Sequence, residues 1–429
     1  MRLHAWAWLA LSSLPLFPLS AASRPRYGGN LTVELSSASS EAIAPLIEET
    51  LVRLNEKGEI EPQLAAAWQR DPDRKRWRFS LRPKVVFHDG EPLNAASAAP
   101  SLAAALKKKY GDVNVTAGGQ TIVLQFDRAV PDLLTELASS RMAISRPGGQ
   151  GAPNGTGPFR VTTWEPGHKI TLAAFEDYWG GRPFLDSVTV NLSTTRAIAD
   201  IFDIPFSQTR RVLPEHIRIW ESPVHELIAL VSDNVQPAVW QALALVIDRT
   251  PIVNVLAQRK AEAAFGLLPQ WLSGYAFLFA AAPDVARAKQ LIFETRLTPL
   301  ALSYPSNDGF VRSIAERVAL NARDAGIAVQ PTPNPGGALR MVRWTLESTD
   351  AAAELSRIGA LLGLPERPLN AARPQELYEA ERSMLDAHRV IPILFLPDVY
   401  GVAPRVHNWD AAQKNCGFTL HLENIWVDP

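Results

Sequence analysis

Arg76-Trp77-Arg78-Phe79-Ser80-Leu81-Arg82, followed by Val86-Phe87-His88-Asp89-Gly90-Glu91-Pro92-Leu93, is the most strongly patterned part of the chain. Trp77, Phe79 and Leu81 alternate with Arg76, Arg78, Ser80 and Arg82, and a period of two puts the apolar side chains on one face of a strand and the cations on the other. With Arg70, Arg74, Lys75 and Lys84 close by, the run has the composition of a nucleic-acid groove of cations and stacking rings. The strict alternation favours an ordinary half-buried strand with a solvated outer face. His88 and Asp89 are adjacent and point to opposite sides of an extended chain, so no His–Asp catalytic pair is read there; Asp89-Gly90 predicts a turn with glycine at positive φ.

Outward from this stretch, Thr121 to Phe126 and Lys169 to Ala173 alternate in the same way and predict strands. Helices are read where the spacing changes to three and four. Val239, Ala242, Leu243, Val246 and Ile247 share a face in a segment opened by Pro237 and closed before Pro251. Val311, Ile314, Ala315, Val318 and Ala322 align between Phe310 and Ala325, with Gly326 beyond the C-cap. A third helix is expected over about Glu376 to His388. Arg146 to Gly157, with five glycines and two prolines, and the proline-rich Pro331 to Gly337 read as hinges or domain edges. No internal repeat is found. Strands interspersed with helices predict an α/β (mixed α+β) chain, and 429 residues with 47% apolar composition predict two to three domains.

The charges balance, 43 Lys and Arg against 44 Asp and Glu, so no global field favours nucleic acid or an anionic membrane, and a ligand must be held by local geometry. A single cysteine, Cys416, excludes an intrachain disulfide and a thiolate metal framework. The eight histidines form no H-x-x-x-H pattern and are dispersed along the chain, so no metal or other cofactor is expected. No G-x-S-x-G elbow occurs, which removes the commonest signature of a secreted hydrolase. Gly155-Thr156-Gly157-Pro158 lacks the Lys-Ser/Thr pair of a phosphate loop and leads into alternating sequence, so a tight strand-entry turn is expected. At the amino end, Arg2 and His4 precede an apolar run from Ala5 to Leu19 and the small residues Ser20 to Ser23. The run is shorter than the roughly 20 residues of a membrane span. Residues 1–23 therefore read as a secretory signal peptide, cleaved near Ala22 or Ser23. No cysteine lies nearby for a lipid, so a freely diffusing extracytoplasmic protein is expected.

Several of these segments, in this order, resemble the extracellular solute-binding proteins of family 5, the peptide- and nickel-binding components of ABC importers. Tyr27-Gly28-Gly29-Asn30-Leu31 resembles the family's opening strand, and Ile60 to Trp68 is similar to its "P-x-L-A-x-x-W" helix. The opening stretch quoted above resembles its "F-x-L-R … F-x-D-G-x-P" signature. Gly155 to Phe159 with Trp164-Glu165-Pro166-Gly167, and then Asp177-Tyr178-Trp179-Gly180-Gly181, match the blocks that follow. Trp240 to Arg249 resembles the "R-x-A-l-x-x-A-i-D-R" helix, with Trp240 where Arg is usual. Towards the carboxyl end, Leu302 to Val329 and Ile391 to Phe395 still fit, but the region between is short. Where members carry "G-W-x-x-D-x-x-D-P", the nearest match is Arg343-Trp344-Thr345-Leu346-Glu347.

The resemblance implies a two-lobed periplasmic binding protein clamp of type II with an inserted small domain. Residues 24–40, 155–227 and 398–429 would form the first lobe, 41–154 the inserted domain and 228–397 a shortened second lobe. It places ligand contacts at Ser36, Ser37, Ser39, Ser40 and Glu41, after the first strand, and at Arg343, Trp344 and Glu347, with Glu347 as the acid that meets a ligand ammonium. The implied function is capture of a small peptide or similar solute and delivery to an ABC permease and its ATPase, by a monomer without catalysis. The alternative is a degenerate clamp serving as an envelope scaffold or sensor, motivated by the missing Asp-Pro and the short second lobe.

Overall fold

The structure, a computed structural model, describes residues 24–35, 40–55, 59–130, 133–192, 199–204, 206, 216–232, 234–274, 282–346, 350–365, 369, 374–409 and 420–428. Three larger sheets organise it. The first has seven strands in the order Phe159–Glu165, Lys169–Ala174, Ser187–Asn191, Asn30–Glu34, Ile201–Asp203, Val399–Val402 and Arg218–Glu221. Asn30–Glu34 runs parallel to both of its neighbours, and the remaining pairings are antiparallel. Leu31, Val33, Phe159, Leu172, Val188, Val190, Ile201 and Trp409 form its core.

The second sheet is antiparallel, in the order Ala65–Arg70, Arg76–Leu81, Thr121–Gln125 and Asn114–Gly118, with helix Ala95–Tyr110 against it. Trp77, Phe79 and Leu81 are buried while Arg76, Arg78 and Ser80 are exposed, which is the alternation expected of a sheet with one wet face. Asn94 and Ser97 close the start of the helix reciprocally, each side chain bonding the other's backbone N–H, at 3.0 and 2.9 Å. Asp89-Gly90 makes the expected turn, with Gly90 at φ 85° and its N–H 2.8 Å from the Phe87 carbonyl. One expectation is corrected here. Ile60 to Trp68 is no helix but two short strands, Ile60–Pro62 paired with Val52–Leu54 and Ala65–Arg70 paired with Arg76–Leu81. Trp68 stands opposite Phe79 and packs on the same core, so cross-strand pairing with the patterned strand overrides the helix propensity of the three alanines.

The third sheet runs Glu262–Ala263, Val390–Leu396, Glu226–Val231, Leu339–Thr345, Leu300–Ser303 and Val329–Thr332. Ile228 and Leu230 face helices Pro237–Val246 and Gly309–Asp324, whereas Leu227, Ala229 and Val231 face Ala351–Leu361 and Pro374–Asp386. Cover on both faces explains why Val390–Leu396 is buried at every position and carries no polar alternation. The predicted helices appear as Pro237–Val246, Gly309–Asp324 and Pro374–Asp386, with Gly326 at φ 89°.

The Asp248-Arg249 pair that ends the Trp240 segment is structural. Asp248 caps the following turn through the Thr250 N–H at 3.0 Å. Arg249, 9% exposed, spreads its guanidinium over the carbonyls of Ala264 (2.7 Å), Pro392 (2.6 Å) and Ile247 (3.3 Å). Burial pushes its pKa down to about 10, still well above neutrality. Arg249→Met should lower stability by about 3 kcal/mol in urea unfolding, because three inward carbonyls lose their donor. Arg249→Lys should recover only part, since one ammonium cannot span all three. A Met variant as stable as the parent would refute this assignment.

Candidate functional site

The two large sheets are joined, among the described residues, by two short crossings, residues 222–225 and 397–398. In the first lobe, Asp203 stands opposite Tyr400 and Glu34 beside Phe202, so the carboxyl ends of Asn30–Glu34 and Ile201–Asp203 lie where Val399–Val402 leaves the crossing. In the second lobe, Glu226 stands opposite both Thr345 and Leu396, so the carboxyl ends of Leu339–Thr345 and Val390–Leu396 lie at the crossing too. Both sheets thus present strand carboxyl ends to the hinge, the position where open α/β sheets take ligands.

The sequence-derived site residues distribute unevenly. Ser36, Ser37, Ser39 and Glu347 lie outside the described residues. Ser40 and Glu41 are the first residues of helix Ser40–Ile47 rather than part of a loop, and their side chains lie outside the description. Arg343 and Trp344 are successive positions of strand Leu339–Thr345 and so point to opposite faces of the sheet. Trp344 packs half-buried on the apolar layer beneath Ala351–Leu361. Arg343 closes on two acids that sequence reading did not single out. Its Nε and Nη2 donate to the Glu226 carboxylate at 2.6 and 2.5 Å, and its Nη1 donates to Asp308 Oδ2 at 3.1 Å. Burial disfavours the Arg343 charge, but Glu226 and then Asp308 outweigh it, so the guanidinium is held above its ordinary range. Asp308 is doubly used: its other oxygen accepts the N–H groups of Phe310 and Val311, both at 3.0 Å, at the start of helix Gly309–Asp324. Only Asp308 left a trace in the sequence, as an acid just before a helical period. Glu226, Arg343 and Asp308 sum to one negative charge at the hinge end of the second lobe, which suits a cationic group of a ligand better than an anionic one.

The segments that carry the resemblance converge elsewhere. Thr156 Oγ1 and Trp179 Nε1 both donate to Glu49 Oε2 at 2.8 Å, while the Tyr178 hydroxyl and Gln63 Nε2 donate to Oε1 at 3.0 and 3.3 Å. Glu49 is 3% exposed, and burial, only partly offset by these donors, pushes its pKa up to about 7. The Arg82 guanidinium lies 4.4 Å from the Trp179 ring centre and donates to the Gln63 carbonyl at 3.0 Å. His88 Nε2 stands 2.9 Å from the Gly157 carbonyl, with its ring edge on Phe175, and Asp89 accepts from Asn154 at 2.6 Å. These motifs stitch the small sheet to the first lobe. Among the described residues, no three His, Cys, Asp or Glu side chains form a group suited to a metal ion.

Comparison with known proteins agrees with this architecture. Residues 59–200 match the family described as bacterial extracellular solute-binding proteins, family 5 Middle. The nickel-binding protein NikA of Staphylococcus aureus is 31% identical over 183 residues, 40% of this chain and 35% of that protein. The probable D,D-dipeptide-binding periplasmic protein DdpA of Escherichia coli is 24% identical over 312 residues, 63% of this chain and 60% of that protein. The chain therefore matches between about a third and three fifths of the length of these curated relatives. The crystal structure of NikA from Brucella suis in complex with Fe(III)-EDTA superimposes with a TM-score of 0.78, covering 93% of this chain and all of that one at 18% identity, a likeness of fold.

Proposed function

We propose that the chain, whose residues 59–200 match family 5 of the bacterial extracellular solute-binding proteins, is a member of that family and the extracytoplasmic capture component of an ABC import system. In this reading it closes on a short peptide or similar small solute and delivers it to a membrane permease. The observation that carries the reading is the meeting of strand carboxyl ends from two separately cored sheets at a double crossing, since a clamp of this kind desolvates its ligand on closing. Lobe boundaries at residues 24–40, 155–227 and 398–429, at 41–154 and at 228–397 belong to the same reading. So does a cleaved signal peptide over residues 1–23.

A peptide is favoured over an anionic solute by the excess negative charge of Glu226 and Asp308 over Arg343, which complements an ammonium group. Native mass spectrometry of protein from about Arg24 onward, before and after refolding, tests the assignment. A released peptide series is expected. Adding back peptide at a hundredfold excess over Kd should stabilise the chain by about 2.7 kcal/mol in thermal unfolding. An empty protein, indifferent to peptide mixtures and to nickel chelates alike, would replace this reading with the scaffold or sensor.

A further inference from the structure

We propose that the hinge is controlled by one proton: a charged His225 ties the two crossing segments together, and loss of its proton loosens them and widens the range of lobe angles. The proposal rests on the clamp reading and adds its regulation.

The argument is one of donors and acceptors. The first crossing carries Ser222, Pro223 and His225, and the second carries Asp398. Their backbones are already paired: Ser222 N–H donates to the Asp398 carbonyl at 3.0 Å, and His225 N–H donates to the Leu396 carbonyl at 2.9 Å. The Ser222 hydroxyl donates to the Pro223 carbonyl at 2.8 Å and accepts the Asp398 N–H at 2.8 Å. The His225 ring lies within this clasp, 3% exposed. Its Nδ1 is 2.8 Å from the Pro223 carbonyl and 3.1 Å from Ser222 Oγ. A carbonyl has no hydrogen to offer, so Nδ1 carries one. Its Nε2 is 3.2 Å from Asp398 Oδ2, an ion-pair distance without hydrogen-bond alignment, and a proton on Nε2 turns that contact from repulsion into attraction. Only imidazolium has both. Removing a proton sets a ring lone pair against a half-buried carboxylate across the hinge.

The surroundings agree. Burial alone disfavours the charged ring, but Asp398, then the Pro223 carbonyl and Glu226, outweigh it and raise the pKa above 6.5. Strand Leu339–Thr345, whose following Leu346 N–H meets the His225 carbonyl at 2.7 Å, brings Arg343, already closed on Glu226 and Asp308. Helix Gln270–Ser273, whose Trp271 indole donates to the Val224 carbonyl at 2.7 Å, carries no charged side chain, and neither does strand Val390–Leu396. Lys260, near the base of the crossing, is closed on Glu221 at 2.5 Å. Beyond Asp398, burial keeps the Tyr400 phenol neutral. The Ser–His–Asp composition is no hydrolase triad. The Ser222 proton is committed to Pro223, which leaves the hydroxyl a structural pin.

The test uses spin labels at exposed Thr163→Cys on the first sheet and Lys289→Cys on the second lobe, with Cys416→Ser. Inter-label distances are recorded without ligand from about pH 5 to about pH 9. The distribution should broaden along a one-proton titration whose midpoint lies above 6.5. In His225→Gln that titration should be lost, and in Asp398→Asn the midpoint should fall. Nitrogen NMR of the parent ring should report both nitrogens protonated below the midpoint and only one above it, a readout that survives if a variant fails to fold. A flat distribution in the parent, an unchanged titration in His225→Gln or a ring that titrates below 6.5 would overturn the proposal. Because no solute enters the measurement, failure of the import reading leaves the titration in place. Ligand-linked stabilisation with a flat distance profile would remove only the hinge proposal.

Discussion

Glu49→Ala should destabilise the protein by about 4 kcal/mol, because it strands donors from three segments of the chain around a new cavity. Trp179 Nε1–H cannot turn away, and Thr156, Tyr178 and Gln63 all lose the same acceptor. Glu49→Gln should cost much less. One amide oxygen can keep Trp179 and Thr156, while the Tyr178 hydroxyl, able to accept as well as donate, takes the amide N–H. The two variants also separate in pH dependence. The folded carboxyl has its pKa near 7 against an ordinary 4.5, so between those values the folded state holds a proton that the unfolded chain has lost. The stability contributed by this group is therefore full below pH 4.5 and falls as pH rises through about 7, by on the order of 3 kcal/mol, then stays level. The cost of Glu49→Gln relative to the parent should shrink across the same window. Urea unfolding of the three proteins between pH 4.5 and 8, with hydrogen exchange of strand Arg76–Leu81 as a local probe, decides the matter. A Glu49→Ala loss below about 1 kcal/mol, or a parallel pH profile in Glu49→Gln, would show that the cage is not a shared anchor.

Gly155→Ala should be comparably damaging for a purely steric reason. A Cβ at Gly155 would sit 2.1 Å from the Ile47 carbonyl oxygen and 2.9 Å from Glu48 Cα, both backbone atoms that cannot swing aside. Gly157 is pressed on the same carbonyl, to which its N–H donates at 2.9 Å. Relieving the clash moves the loop away from helix Ser40–Ile47 and takes Thr156 off Glu49. The expected loss is about 3 kcal/mol or more, at the upper end of overpacking. Gly149→Ala, in the same glycine-rich stretch but with open space around its Cβ position, should be nearly silent. Thermal unfolding of both variants separates close approach from simple glycine content, and equal losses would reject the steric account.

The local elements were legible because their causes are local. Alternation around Trp77 and Phe79, the three-four spacing from Val311 to Ala322 and the Asp89-Gly90 turn each depend on residues a few positions apart. The exception, Ile60 to Trp68, was expected as a helix from the resemblance alone, and is strand because it pairs with the patterned strand at the sheet edge. The site was much less legible. Arg343 was visible as a cation in a familiar block, but its partners were not, since Glu226 and Asp308 reach it from 117 and 35 positions away. The resemblance placed Thr156 in one block and Tyr178 and Trp179 in another. It gave no sign that they share one carboxylate.

By itself, then, the sequence determined the strands and helices, the balanced charge that excludes a global electrostatic partner, and a family likeness carried by short contiguous motifs. Those properties are set by backbone periodicity, turn chemistry and composition, all of which act within a few residues. The tertiary structure alone decided that Glu49 is a buried anchor, that Arg343 is paired with both Glu226 and Asp308, and that His225 and Asp398 face each other across the hinge. Each of those depends on desolvation and on hydrogen bonds of about 3 Å, and such distances exist only once segments more than a hundred positions apart have been packed together.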